Sequence, residues 1–154
     1  MKEDFLHFLW KHQKFLYDNL KTTQGSSLQF VKQGVYNTHT GPDFSDARLK
    51  IDVLDWVGNV EIHLKSSNWF AHQYQQDSNY DAVILHVVWE DDVPVVTQSG
   101  VPLPTLELSK IVSPKFLEHY QKQFSQRPQW IPCEEQIHRI DSTVWTHWKV
   151  RIFL

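Results

Sequence analysis

The sequence predicts an α+β domain: a mixed or mostly antiparallel sheet of four or more strands, flanked by helices. Three observations carry this expectation. Apolar residues recur at helical spacing near the N-terminus. Two runs of strict alternation succeed one another in the middle of the chain, and an unbroken apolar stretch, AVILHVVW at 82–89, comes after them. A period near 3.6 builds one apolar helix face, a period of two builds a half-solvated strand, and a continuous run builds a strand covered on both faces.

Taken in order, Phe5, Leu6, Phe8, Leu9, Phe15, Leu16 and Leu20 predict a helix over 3–20, with Glu3 and Asp4 at the positive end of its dipole. The KTTQGSS segment at 21–27 reads as a loop. A first strand runs from Leu28 through Gly34 to Tyr36. Ala47, Leu49, Ile51 and Val53 then alternate with Arg48, Lys50 and Asp52. Val60, Ile62 and Leu64 alternate with Glu61, His63 and Lys65, predicting an antiparallel hairpin that turns at Asp55–Asn59 around Gly58. Residues 66–81 read as a polar and aromatic connection with one irregular helical turn. Pro94, Pro102 and Pro104 confine later strands to edges. Ser113-Pro114 opens a helix to about Phe124, a Pro-containing loop occupies 127–135, and Asp141 or Ser142 caps a last helix. That helix is still apolar at Ile152-Phe153-Leu154, so the chain reads as the N-terminal part of a longer protein, with this helix packing against the C-terminal remainder.

The 154 residues suit one domain. Mean hydropathy is −0.45 and no apolar run approaches the ~18 residues of a membrane span. The MKEDFLHFLW terminus lacks the signature of a secretory leader. The single cysteine, Cys133, excludes an internal disulfide and a CxxC knuckle, which points to a reducing compartment, most simply the cytoplasm. Its acidic neighbours Glu134 and Glu135 also disfavour a thiolate nucleophile. The chain carries −3 overall, yet between Asp43 and Asp92 ten acids face only Arg48, Lys50 and Lys65, a local −7. Such a centre suits a divalent cation better than a preformed phosphate-binding patch. No GxSxG elbow, Walker loop, GxGxxG or HExxH pattern is present.

The chemistry-bearing residues gather around the hairpin. Pro42-Asp43 precedes its first strand, and a period of two puts Glu61, His63 and Lys65 on one side of its second. Two convergent carboxylates are what Mg²⁺ or Mn²⁺ requires. His86, inside the covered strand, must find a partner or point into the same pocket; His72, Asp77 and Tyr80 form a second wall or a polar loop. Outward Glu, His and Lys are also what any half-solvated strand shows. His7, His12, His119, His138 and His147 read as helix-surface residues. Trp56, Trp69 and Trp130 read as loop residues open to stacking.

The order helix, strand, hairpin, strand, with Pro42-Asp43 and then Glu61-x-His63, resembles the restriction-endonuclease-like PD-(D/E)xK phosphodiesterases. This resemblance implies a restriction-endonuclease-like core, Asp43 and Glu61 as metal ligands, and a lysine two residues after the second acid. His63 stands at that lysine position, as ligand or substitute, with Lys65 on the same face to orient water or stabilise charge. GPDF, Ala47, GNVEIH, SSNW, His72, Asp77, Tyr80, VILHVV and IPCE together resemble an uncharacterised bacterial family of longer proteins, without an established activity. Asn68 and Gln73 depart from that pattern, which usually has SDW and a second histidine there. The functional expectation is a Mg²⁺- or Mn²⁺-dependent phosphodiesterase acting on nucleic acid, with Asp43, Glu61, His63 and Lys65 catalytic and His72, Asp77, Tyr80 and His86 lining the substrate side. The alternative is a non-catalytic binding or assembly module on a nuclease-like scaffold, and a transition-metal site of His63, His72 and His86 stands behind both.

Overall fold

The computed structural model describes residues 2–16, 18–125 and 134–152. They fall into two compact units, 1–113 and 114–154. The larger holds helix α1 (Glu3–Lys11), strands β1 (Leu28–Lys32), β2 (Val35–Tyr36), β3 (Phe44–Ile51) and β4 (Leu54–Lys65), the short helix α2 (Asn68–Ala71), and strands β5 (Val83–Glu90) and β6 (Thr105–Glu107). The smaller holds α3 (Pro114–Ser125) and α4 (Ser142–Ile152). Asp141 caps α4, its Oδ1 accepting from the Thr143 N–H at 2.8 Å. Among the described residues no helix is long and apolar enough to cross a membrane.

The α+β expectation is met, and the sheet is mixed. Its six strands run β1-β3-β4-β5-β6, with β2 also on β3. β1, β2 and β4 pair antiparallel to β3, whereas β5 runs parallel to β4 and β6 parallel to β5. A parallel step needs a crossover, supplied by 66–82 through α2 and two 3-10 turns, Tyr74–Gln76 and Ser78–Tyr80. The crossover packs Trp69 and Tyr80 with Val83, Val95 and Leu103. On the other face α1 buries Phe5, Leu6, Leu9 and Trp10, with ring contacts to Trp89, Phe30 and Phe44. The middle of β4 and nearly all of β5 are therefore covered on both sides, as AVILHVVW predicted for β5.

Four expectations are corrected. The first helix ends at Lys11, because the polar Lys11-His12-Gln13-Lys14 interrupts its apolar face. Gln13 then turns left-handed at φ 52°, letting the Lys14 N–H close back on Leu9 O at 2.9 Å. The first strand divides into β1 and β2 at Gly34, whose φ is +94°. The hairpin turns at Asp52-Val53, not at Gly58-Asn59: Ile51 pairs Leu54, Asp52 takes φ 53°, and its Oδ1 accepts from the Ser27 N–H at 2.8 Å. Gly58 lies within β4, where a Cβ would meet Ala82 O and Ile84 Cγ2, each at 2.5 Å; close packing, not turning, requires glycine there. Finally, Trp56 lies in β4 and Trp69 is fully buried in α2, so neither is a loop residue open to stacking. Trp130 and Cys133 lie outside the described residues.

Candidate functional site

A bulge in β3 sets the geometry. Between the pairs Phe44↔Val60 and Ala47↔Gly58, β3 carries one more residue than β4, and Asp46 absorbs it at φ 56°. Gly34 allows the bulge, since a Cβ there would stand 2.7 Å from Ser45 O. One step past Phe44↔Val60, Asp43 therefore comes opposite Glu61. Here side chains replace the backbone ladder. The Asp43 N–H donates to Glu61 Oε2 at 3.1 Å, and Asp43 Oδ2 accepts from the Ile62 N–H at 2.9 Å.

Three further elements complete the cluster. From α1, His7 Nε2 approaches Asp43 Oδ2 at 3.2 Å, while its Nδ1 lies 3.5 Å from the Tyr36 hydroxyl of β2. Along β4, His63 places Nε2 3.5 Å from Glu61 Oε1 and Nδ1 2.9 Å from Nε2 of His86, which faces it from β5. From the crossover, Tyr74 hydrogen-bonds to Glu61 and stacks on Tyr80, and His72 stacks on His63 with ring centroids 5.3 Å apart. Trp69 closes the floor, its ring 5.4 Å from that of His86.

Burial decides the protonation states. Burial, and then the Asp43 charge, push the Glu61 carboxyl up to about 9, against the opposing bonds from Asp43 N–H and Tyr74. Glu61 therefore carries a proton at neutral pH. Burial lowers His63 to about 4, with His72 adding to the shift, and lowers His86 to about 3, with His63 adding. Both rings are neutral, so one donates across the 2.9 Å contact and the other accepts. Burial alone would lower His7, but the Asp43 carboxylate, with Glu3 and Asp4, outweighs it and raises the ring. Tyr74 and Tyr80 are raised, first by burial. The arrangement sets a protonated Glu61 beside two neutral imidazoles that share a hydrogen bond. His86 Nδ1 is buried and unpartnered.

Of the residues singled out in the sequence, Asp43, Glu61, His63, His72, Tyr80 and His86 come together. Lys65 does not: it is about half exposed and pairs with Glu90 at 3.3 Å. Asp77 caps its own turn, accepting from the Asn79 N–H at 2.9 Å. Sequence reasoning missed His7 and Tyr74. His7 was expected on the helix surface but is half-buried against Asp43; its signal was its position three residues before the buried Trp10, at the border of the apolar stripe. No spacing marks Tyr74. Among the described residues no three His, Cys, Asp or Glu side chains are grouped so as to hold a metal ion. Both ring nitrogens of His63 face protein partners, and so do Glu61 Oε1, Glu61 Oε2 and Asp43 Oδ2; a cation here would be met by the remaining lone pairs of the two carboxyl groups.

A mixed sheet with a buried carboxylate–histidine cluster at the start of β3 defines an α+β domain with a polar site in its core. The chain belongs to the family described as Protein of unknown function (DUF2851), which it matches over residues 3–154. No curated protein and no solved structure matches it.

Proposed function

We propose that this chain is a divalent-cation-dependent phosphodiesterase acting on nucleic acid, built on a restriction-endonuclease-like core. The observation that carries the reading is the mutual hold of Asp43 and Glu61, two carboxyl groups fixed at one point between β3 and β4. The order α1, β1, β3, β4, α2, β5, with β5 parallel to β4, supports the scaffold. Two carboxyl groups with no third protein ligand among the described residues suit Mg²⁺ or Mn²⁺, which keep several waters and take substrate oxygens. When bound, such an ion would supply Lewis acidity to a phosphoryl oxygen and a lowered pKa to a water. The chain's own part is then specific. Asp43 is held by the Ile62 N–H, His7 stands 3.2 Å from the Asp43 carboxylate, and His63 occupies the position where the related motif has a lysine.

The test is a thermal melt and an oligonucleotide cleavage assay, each with EDTA, Mg²⁺ or Mn²⁺. Cation should stabilise the protein by mass action, about 2.7 kcal/mol at a hundred times Kd, and cleavage should require it. Asp43→Asn should remove both effects. A wild-type protein that neither gains stability nor cleaves would refute the reading. The alternative, a non-catalytic binding module on the same scaffold, is favoured by one observation: His63, neutral and turned inward, replaces the lysine, while Lys65 is tied to Glu90. Oligonucleotide binding without cleavage, unchanged in Asp43→Asn, would establish it.

A further inference from the structure

The crossover covers only part of its sheet face. Toward β1 the same face, the one that carries Glu61 and His63, stays open, and the register brings two cross-strand rows onto it. Lys32 pairs Arg48, which pairs Val57; Gln29 pairs Lys50, which pairs Asp55. Lys32, Arg48, Gln29, Val57 and Asp55 are exposed, and Val57 keeps 65% of its surface in water. None of Lys32, Arg48 and Lys50 has an ion-pair partner among the described residues.

We propose that this open sheet face, with Lys32, Arg48 and Lys50, is a docking surface for the phosphate backbone of a nucleic acid. Strand geometry sets the Cα atoms of Lys32 and Arg48 about 5 Å apart and those of Arg48 and Lys50 about 7 Å apart, and Val57 lies about 13 Å along β4 from Glu61, so a backbone tracking the strand runs from the cations to the site. The −7 balance of the central segment conceals this, because its acids and bases segregate. Asp43 and Glu61 lie at the site and Asp52 at the hairpin tip, whereas Arg48 and Lys50 share the open face with Asp55, and Asp46 stands at the bulge two residues before Arg48. No aromatic side chain stands in the two rows, so the contact reads charge and not sequence. Phosphate is the partner because cations without an ion-pair partner, Lys32 and Arg48 exposed and Lys50 half-buried, gain by releasing counterions from a polyanion. The surface deepens the reading above and rests on it only for cleavage.

The experiment measures fluorescence anisotropy of labelled single- and double-stranded oligonucleotides of two unrelated sequences, with EDTA, across a salt series. The whole chain should bind both sequences equally, with log K falling against log salt at a slope of about −2 to −3 for three phosphates neutralised. The Lys32→Gln/Arg48→Gln/Lys50→Gln variant should lose at least tenfold in affinity at low salt and most of the slope, with an unchanged circular dichroism spectrum and melt. Reversal to glutamate at the three positions should abolish binding. Wild-type binding in the triple glutamine variant, or no wild-type binding at low salt, overturns the proposal. Binding that depends on these cations, together with no cleavage in the Mg²⁺ and Mn²⁺ assay above, sustains the surface and removes the enzyme reading, so the two fail separately.

Discussion

Asp43 and Glu61 face each other across the start of β3: Asp43 donates its backbone N–H to Glu61 Oε2 and accepts at Oδ2 from the Ile62 N–H. The exchange ties two elements that the ladder has ceased to join, and it places a carboxylate beside a carboxyl group inside the fold. Neither side chain is free to leave without unpairing a backbone donor, which costs about 1–3 kcal/mol where it is buried. The pair is structural before it is anything else, and its protonation is coupled to folding.

That coupling predicts a stability maximum near pH 6.5. The unfolded chain protonates His63 and His86 near 6.5, while the folded chain holds them neutral down to about 4 and 3. Their contribution is present above 6.5 and lost as pH falls. Glu61 has the opposite sign. The folded state keeps its proton up to about 9 against an ordinary 4.5, so its contribution is lost as pH rises across that interval. Two imidazoles outweigh one carboxyl between 4.5 and 6.5; above 6.5 Glu61 acts alone, reinforced by the raised His7. Each uncompensated proton gives at most about 1.4 kcal/mol per pH unit. Urea unfolding at pH 5, 6.5 and 8 measures this, and a monotonic rise from 5 to 8 would contradict it.

Glu61→Gln fixes the neutral form and keeps an oxygen for the Asp43 N–H. The variant should match or fall slightly below the wild type at pH 5 and exceed it at pH 8–9, flattening the alkaline decline. An equal loss of stability at every pH would mean that Glu61 is not protonated in the folded state.

Gly58→Ala should destabilise by about 1–3 kcal/mol, since its Cβ meets the Ala82 carbonyl as well as Ile84. A melting temperature within a degree of the wild type would show that β4 and β5 can separate to admit a methyl group.

Lys65→Ala should change stability by less than about 1 kcal/mol, because its pair with Glu90 is exposed. It should leave any cation-induced stabilisation and any cleavage intact. A tenfold loss of cleavage would return Lys65 to the site.

Periodicity alone determined the α+β class, the hairpin partners β3 and β4, the doubly covered β5 and the first helix, because each is a local pattern of apolar spacing, while Pro114 and the cap at Asp141 marked the starts of α3 and α4. It also drew attention to Asp43, Glu61, His63, His72 and His86. It placed the hairpin turn wrongly, since Gly58 and Asn59 carry a turn's composition while the turn is made by Asp52, held from a distance by Ser27. Counting by twos back from Ala47 puts Asp43 on the face opposite Glu61. Only the bulge at Asp46, with Gly34 lying against it, shifts the register by one and brings the two acids together. The inward turn of Glu61 and His63 was equally hidden. Their alternation is that of a half-solvated strand, and it is the crossover from α2 to Tyr80, laid over that face by a parallel step, that buries them. A bulge and a covering layer are relationships between distant segments, and a period of two carries no record of either.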